Sequence, residues 1–271
     1  MDILYKYVTA RRALTCIPEV GDGTLRATQP AALNDPFECH VRPLYVFRDE
    51  AEENRKLAKI LTDINQSKPI TEDYVGRARA EHSSLFTREL LTEQLSTRFG
   101  IVSFTTQPCH PLMWSHYTID GSGFVIGYDV AELTKLTGPN GCLTNVVYAN
   151  QPVPIMGPKV LVFPESNLPK LLSVKSEHWN YEDEWRLIVE LSRTIGTGEM
   201  GQRGQPINLV QVPNEAVVCV YYTERTEPEA VNLIQDRLAD KNNRYRAGKP
   251  RKLVLSSSTY GYEEASDDYE S

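Results

Sequence analysis

The chain has 271 residues, enough for one large domain or two small ones with a sizeable core. Apolar residues make up 41% and charged residues 24%, and a net charge of -7 disfavours broad attraction to nucleic acid or to an anionic membrane. The sequence contains no apolar run of the roughly 20 residues that span a bilayer and no secretory-signal pattern at its start. Five scattered cysteines without a Cys-x-x-Cys pair favour reduced thiols, so we expect a cytoplasmic protein.

The N-terminal third combines strand patterns with a helical insert. Leu4–Val8 alternates in polarity and predicts a first strand, and Thr24–Thr28 predicts a second. Asn-Asp-Pro at residues 34–36 predicts a structural turn. Residues 49–99 are rich in helix-forming residues, with apolar side chains at helical spacing, so we expect two or three helices with solvated charged faces.

Short strands dominate the rest of the chain. The predicted strands are Ile101–Thr106, Phe124–Asp129, Thr144–Tyr148, Trp185–Val189, Ile207–Leu209, Val217–Tyr221 and Lys252–Leu255. The predicted helices are Leu112–Tyr117, Glu132–Leu136 and Pro228–Leu238. Residues 150–172 are punctuated by proline and predict a surface excursion, and Gly196–Gly204 predicts a hairpin tip.

This order of elements predicts an α+β fold, because strands dominate and the helices are segregated. We expect a single α+β domain over residues 1–258, followed by an acidic, disordered tail over residues 259–271. The sequence lacks Gly-x-Gly-x-x-Gly and the Walker phosphate loop, which disfavours a Rossmann or P-loop enzyme.

The stretch from His178 to Glu190 carries the strongest chemical signal. Glu182 and Glu184 directly precede the strand Trp185–Val189, and aromatic residues flank them. Side chains two apart in a strand share a face, so an extended Glu182 would place both carboxylates together at the start of the strand. Aromatic walls desolvate acids and shift their pKa, which favours a site over a pair of solvated surface charges.

Two other polar clusters accompany the acids and suit a ligand with phosphates and ribose. A cation would hold pyrophosphate, strand hydroxyls would orient the sugar, and Glu184 would stabilise positive charge at the anomeric carbon. The predicted ligand contacts, apart from Glu184 and Glu182, are Tyr5, Lys6, Tyr7, Arg12, Ser103, Thr105, Trp114 and Tyr117.

His116 has two readings, as a general acid–base or as a histidine packed beside Trp114 and Tyr117, and we include it among the candidate catalytic residues. Ser103 lacks the Gly-x-Ser-x-Gly pattern of a nucleophile. No metal is predicted, because the spacing is not diagnostic among the available ligands, which are His110, His116, His178, Asp129 and Glu184.

Several motifs occur in an order that resembles a known family. They are Leu4–Tyr7, Leu33–Glu38, Val102–Phe104, Leu112–Tyr117, Gly123-Phe124, Val147-Tyr148, Lys175 and Trp179–Arg186. Together they are similar to the bacterial domain-of-unknown-function family 2971 (DUF2971) over most of residues 4–255. This resemblance implies no activity.

The order of a first-strand cation, a Ser-x-Thr strand and Glu-x-Glu before a strand also resembles the Arg–Ser–Glu class of ADP-ribosyltransferases. The resemblance implies a split β-sheet core, NAD as the substrate, Glu184 as the catalytic acid, Glu182 as the residue that orients the acceptor, and Ser103 in the nicotinamide pocket. Two positions depart from the class. The first strand carries Lys6 in place of arginine, and Ser103–Thr105 reads Ser-Phe-Thr in place of Ser-Thr-Ser.

Three functions remain open. The first is an NAD-using ADP-ribosyltransferase or glycohydrolase-like enzyme, such as a toxin or phage-defence effector, with a protein or nucleic-acid acceptor. The second is a non-enzymatic binding domain in which Trp114, Trp179 and Trp185 are core residues. The third is a metal-dependent nuclease or hydrolase, which the acidic net charge disfavours. We expect a nucleotide-type small molecule as the ligand and no membrane association.

Overall fold

The computed structural model describes residues 2–38, 41–44, 69–81, 88–151, 153–156 and 172–265, with scattered positions between 51 and 62. In these ranges, no helix has both the length and the apolar character that crossing a bilayer requires. The cysteines in this part of the chain are free thiols, namely Cys16, Cys109, Cys142 and Cys219.

The described residues form strands and α-helices in the following order. The strands are β1 (Ile3–Val8), β2 (Gly23–Ala27), β3 (Val41–Leu44), β4 (Phe99–Thr105), β5 (Phe124–Asp129), β6 (Cys142–Asn145), β7 (Val147–Ala149), β8 (Val153–Met156), β9 (Val174–Ser176), β10 (Glu184–Glu190), β11 (Ile195–Met200), β12 (Pro206–Val212), β13 (Val217–Thr223), β14 (Arg251–Leu255) and β15 (Tyr262–Glu264). The α-helices are α1 (Ala10–Cys16), α2 (Glu72–Glu81), α3 (Arg88–Arg98), α4 (Pro111–Tyr117), α5 (Val130–Lys135) and α6 (Pro228–Ala239).

An eight-stranded sheet forms the centre of the fold, in the order β15-β14-β13-β5-β1-β4-β10-β6. Its neighbouring strands are antiparallel, except that β13 and β14 are parallel. A second antiparallel sheet has the order β11-β12-β2, and β3-β8 and β7-β9 form two parallel pairs. The architecture is therefore mixed α+β, as the order of elements predicted.

Both faces of the large sheet are covered by side chains. On β5, Phe124 and Ile126 join a core cluster that includes residues of α1 and α6, whereas Val125 packs with Trp114 of α4 on the other face. The same alternation applies along β4 and β10, where Phe104 and Leu187 join the first cluster. The residues that alternate with Phe104 on β4 and with Leu187 on β10 therefore point to the α4 side. These are Ser103, Thr105, Glu184 and Arg186.

The large sheet is loosely joined between β1 and β4. Strand β1 pairs with β5 over six residues and β4 pairs with β10 over seven, but β1 and β4 pair in register only at Tyr5 and Thr105. The Lys6 ammonium donates to the Ser103 carbonyl oxygen at 2.9 Å across the junction. Because few backbone groups pair here, side chains of both strands line a cleft at this position.

The end of β2 is attached to β4 beside this junction. Thr28 and Ile101 exchange two backbone hydrogen bonds of 2.8 Å. A side chain at Gly100 would place its Cβ 2.7 Å from the Cβ of Ala27, so glycine permits this close approach. The attachment brings Arg26 of β2 to the wall of the cleft.

Two predictions for residues 144–172 are corrected. The single strand predicted at Thr144–Tyr148 is two strands in different sheets, β6 and β7, because the Val146 N–H turns to the Glu184 carbonyl oxygen at 2.8 Å. Within the predicted surface excursion, residues 153–156 form β8, which pairs with β3. Residues 157–171 lie outside the described residues.

Three other boundaries also differ. In the glycine-rich segment, Ile195–Met200 is a strand, so the hairpin tip is confined to residues 201–205. The tail predicted as disordered contains β15, because Tyr262–Glu264 pairs with β14 and Glu264 accepts a hydrogen bond from the Tyr221 hydroxyl at 2.9 Å. Residues 266–271 are not described. The helical insert includes α2 and α3, but Phe99 already belongs to β4.

Candidate functional site

The candidate site is built on a row of residues across three strands. Thr105 of β4 lies opposite Tyr5 of β1 on one side and Glu184 of β10 on the other, and Ser103 lies opposite Arg186 in the same register. Because these positions share one face, the Ser-x-Thr and Glu-x-Arg pairs form adjacent polar columns on the α4 side of the sheet.

The Glu182 side chain lies on this face, but the backbone conformation that places it there differs from the predicted one. It is the last residue of a 3-10 helix, Glu177–Glu182, and Asp183 has a left-handed backbone with φ of 43°. The Thr105 hydroxyl donates to the Glu182 carbonyl oxygen at 2.5 Å, and the Thr106 hydroxyl donates to the Asp183 carboxylate. The expectation of an extended Glu182 is therefore wrong. The 3-10 helix and the left-handed turn at Asp183, a residue type that tolerates this conformation, bring the Glu182 carboxylate to this face of the sheet.

Lys175 of β9 joins the two carboxylates. Its Nζ lies 2.5 Å from Glu182 Oε2 and 2.8 Å from Glu184 Oε2, and it is 3.6 Å from the Glu38 carboxylate. The Tyr117 hydroxyl of α4 donates to the other oxygen of Glu182 at 2.5 Å. Every carboxylate oxygen of Glu182 therefore has a donor.

Arg186 connects Glu184 to Glu38 and is fully buried. Its Nε lies 2.9 Å from Glu184 Oε1, and its Nη2 lies 2.8 Å from both carboxylate oxygens of Glu38. Its Nη1 donates to the Leu172 carbonyl oxygen at 2.6 Å. We call Glu38, Lys175, Glu182, Glu184 and Arg186 the acid network. With all five groups ionised, it carries three negative charges and two positive ones.

Burial and neighbouring charges shift the pKa of Glu184 and Glu38 in the acid network and of Tyr117 beside it. Burial disfavours the charged form of Glu184, but Arg186 and Lys175 outweigh it and lower the pKa of Glu184 to about 2. Burial raises the pKa of Glu38, and Arg186 offsets it only in part. Burial and the neighbouring Glu182 charge raise the pKa of Tyr117, which stays a neutral donor. Glu184 is therefore a permanent negative charge at neutral pH.

The cleft at the β1–β4 junction has a cavity volume of about 180 Å³. Both acids of the Glu-x-Glu pair line it, opposite side chains of the first strand and of the Ser-x-Thr strand. The predicted ligand residues that line this cleft are Tyr5, Lys6, Tyr7, Ser103, Thr105 and Tyr117, together with Glu182 and Glu184. Their roles in binding or catalysis remain predictions.

Two cations line the cleft without a carboxylate partner in the described part of the chain. Lys6 makes its hydrogen bond to a backbone carbonyl, and burial of its ammonium lowers its pKa to about 8. The Nε of Arg26 is buried and has no hydrogen-bond partner among the described residues. A buried guanidinium nitrogen without a partner is rare, and together with the Lys6 ammonium it makes the cleft suited to an anionic group.

Three predicted site residues do not line the cleft. Arg12 lies on α1, so the second cation of the cleft is Arg26. Trp114 is fully buried in the core under Tyr7, and its indole N–H donates to the Pro108 carbonyl oxygen at 2.9 Å. His116 is exposed on α4 and is not among the residues that line the cleft.

The residues that sequence reasoning missed as site residues are Glu38, Lys175, Arg186 and Arg26. Each of the first three belongs to a motif that carries the resemblance to DUF2971, but only the fold shows that they meet in the acid network. Arg26 was part of a predicted strand, with no pattern to mark it. Among the described residues, no group of three His, Cys, Asp or Glu side chains is arranged to hold a metal ion.

Comparison with known proteins adds one finding. Residues 113–187 match the model of the family described as "Protein of unknown function (DUF2971)". The search of curated proteins and the search of solved structures found no match to the chain. The matched segment contains Tyr117 and four members of the acid network, Lys175, Glu182, Glu184 and Arg186. The resemblance of this chain to DUF2971 is thereby confirmed over residues 113–187.

Proposed function

We propose that the cleft binds NAD and that the protein is an ADP-ribosyltransferase-like enzyme with a split β-sheet core. The observation that carries the proposal is the distribution of charge along one cleft. It combines the cations Lys6 and Arg26, which have no carboxylate partner among the described residues, with fixed carboxylates at Glu182 and Glu184. NAD has a matching distribution, because its pyrophosphate is anionic and its nicotinamide ring is cationic.

The size of the cavity limits which part of NAD it can enclose. Small-molecule sites usually have volumes of roughly 300–1,000 Å³, and the cleft has about 180 Å³. We therefore propose that the cavity encloses the nicotinamide–ribose end, with Ser103 and Thr105 beside the sugar, while the rest of the dinucleotide lies along the open side.

The chemistry that this arrangement supports is loss of nicotinamide from the ribose. The bond between the anomeric carbon and nitrogen breaks, nicotinamide leaves with the electron pair, and positive charge develops on the ribose. Glu184 stabilises this charge as a fixed carboxylate and does not accept a proton, because a group whose pKa is about 2 is a weak base at neutral pH. Water or an acceptor then attacks the anomeric carbon and loses its proton to the surrounding water.

The proposal is tested by incubating the purified protein with NAD and measuring both nicotinamide release and transfer of labelled ADP-ribose to protein and nucleic-acid acceptors. We expect nicotinamide release by the wild-type protein. Replacing Arg26 by methionine is expected to raise the KM for NAD about tenfold, because a charge-assisted contact is lost. Absence of any turnover, combined with unaltered NAD binding in the Arg26 variant, would contradict the proposal.

A non-enzymatic nucleotide-binding domain is the second candidate. The burial of Glu182 and Glu184 favours this candidate. Each is only 3% exposed and is held by ion pairs, so both acids could serve to stabilise the fold without taking part in a reaction. The two candidates differ in one measurement. A binding domain would hold ADP-ribose through Lys6 and Arg26 but would release no nicotinamide from NAD.

The ionisation of Lys6 gives a prediction about ligand affinity. Its pKa of about 8 lies below the ordinary lysine value of 10.5, so the free protein loses this charge as the pH rises through about 8. The affinity for ADP-ribose, whose pyrophosphate charge is constant in this range, should therefore fall between about pH 7 and pH 9.5. Titration calorimetry at both pH values measures the change.

Two variants make this pH prediction specific. Lys6→Arg should keep its affinity for ADP-ribose at the higher pH, because arginine stays protonated. Lys249→Met removes one exposed lysine and should leave the pH dependence as it is in the wild-type protein. A decrease that is the same in the wild-type protein and in Lys6→Arg would show that another group titrates.

A further inference from the structure

A second cavity lies against the Leu33–Glu38 segment and shares a wall with the cleft. It has a volume of about 630 Å³, within the range of about 300–1,000 Å³ for small-molecule sites. Leu33 and Glu38 line both hollows, while Asp35, Thr92 of α3 and Arg203 line only the second. The Asn-Asp-Pro turn predicted from sequence is thus the partition between the two.

Asp35 lines this cavity and has one carboxylate oxygen without a partner among the described residues. Its side chain is 5% exposed, and its Oδ1 accepts the Phe37 N–H at 2.9 Å. Its buried Oδ2 has no hydrogen-bond partner among the described residues, and the same holds for the buried hydroxyl oxygen of Thr92. Leaving a buried carboxylate oxygen unpaired is costly, so two such acceptors on one cavity indicate a ligand that donates hydrogen bonds.

The wall that carries these acceptors is firmly held. The Ser96 hydroxyl accepts the Ala31 N–H at 2.8 Å and donates to the Thr92 carbonyl oxygen at 2.6 Å. This arrangement fixes α3 against the 3-10 turn Pro30–Ala32. Arg203, which could neutralise Asp35, instead donates to the Leu33 carbonyl oxygen. The cavity is therefore preformed and lacks an ion-pair partner for Asp35 among the described residues.

We propose that this cavity is a second ligand site, which binds a molecule bearing a primary ammonium group through Asp35. Glu93 of α3, which also lines this cavity and is exposed, adds negative charge, which favours a cation. A guanidinium prefers two parallel bonds to both oxygens of a carboxylate, and one oxygen of Asp35 is already occupied by Phe37. A compact ammonium needs only one carboxylate oxygen and can also donate to the Thr92 hydroxyl. The inference does not depend on NAD chemistry in the cleft.

The experiment titrates the wild-type protein with 1,4-diaminobutane and with the neutral analogue butane-1,4-diol, without NAD, by calorimetry at about pH 7. We expect saturable binding of the diamine and none of the diol. Asp35→Asn keeps the acceptor for the Phe37 N–H but removes the charge, and it should weaken diamine binding at least about tenfold. Asp236→Asn, which removes one exposed charge from α6, should bind the diamine like the wild-type protein.

Thr92→Val provides a second test should Asp35→Asn not fold. It removes the Thr92 hydroxyl and should weaken diamine binding about tenfold, because one hydrogen bond from the charged ammonium is lost. No saturable binding to the wild-type protein, equal binding of the diol, or equal weakening by Asp236→Asn would each overturn the proposal. Any of these results would leave nicotinamide release in the cleft to be judged separately.

Discussion

Replacing Arg186 by methionine is expected to lower the free energy of unfolding by about 3–5 kcal/mol, because a buried ion pair loses one partner. Arg186 is fully buried and donates to both Glu38 and Glu184. Methionine fills a similar volume without a charge, so the variant leaves both carboxylates in the interior with only Lys175 to compensate them. Urea unfolding at about pH 7 measures the loss.

The pH dependence of this loss distinguishes buried charge from lost packing. In the wild-type protein the pKa of Glu184 is about 2, below its ordinary value of 4.5, so its contribution to stability is complete above the higher value and is lost as the pH falls towards the lower one. In the variant, the same carboxylate is a buried charge that protonation relieves. The difference between variant and wild type should therefore narrow as the pH falls from about 7 to about 4.5.

Arg244→Met is the matched control for Arg186. Arg244 also pairs with a glutamate, Glu215, at 2.9 Å, but its side chain is 70% exposed. Exposed pairs contribute about 0–1 kcal/mol, so this variant should unfold at nearly the same urea concentration as the wild-type protein. If both arginine variants changed stability equally, the acid network would not hold the fold together in the way its geometry indicates.

The strands that frame the site could be predicted because their patterns are local. β1, β4, β5 and β10 carry alternating or continuous apolar residues, and the observed bounds lie within one or two residues of the predicted ones. The proximity of Glu182 and Glu184 was also predicted. The reason given for it was wrong, because no local pattern shows that Asp183 takes a left-handed backbone.

The partners of the acids could not be predicted, because they come from distant parts of the chain. Glu38 is 148 residues from Arg186 in sequence, and their contact depends on the order of strands in the sheet. Arg26 and Arg12 are equally cationic in sequence, and only the bridge between Thr28 and Ile101 determines that Arg26 reaches the cleft. Sequence patterns therefore gave the types of group in the site but not the identity of every member.

Replacing Glu184 by glutamine is expected to lower kcat/KM for nicotinamide release about 100- to 1,000-fold, if the cleft acts on NAD as proposed. The reason is electrostatic. Glu184 is the carboxylate fixed by Arg186 at 2.9 Å and by Lys175 at 2.8 Å, and the amide removes the negative charge while it keeps the shape. The measurement is steady-state release of nicotinamide, normalised to the fraction of folded protein.

Glu182→Gln is the matched variant, because it removes the same charge from the same acid network. Glu182 is held by Lys175 and Tyr117, and its proposed role is to orient the acceptor. We expect this variant to lose more transfer of ADP-ribose than hydrolysis of NAD, whereas Glu184→Gln should lose both. A structural role makes a different prediction, in which both variants melt at lower temperature and neither changes turnover per folded molecule. The negative charges of Glu182 and Glu184 would then be excluded as the origin of activity.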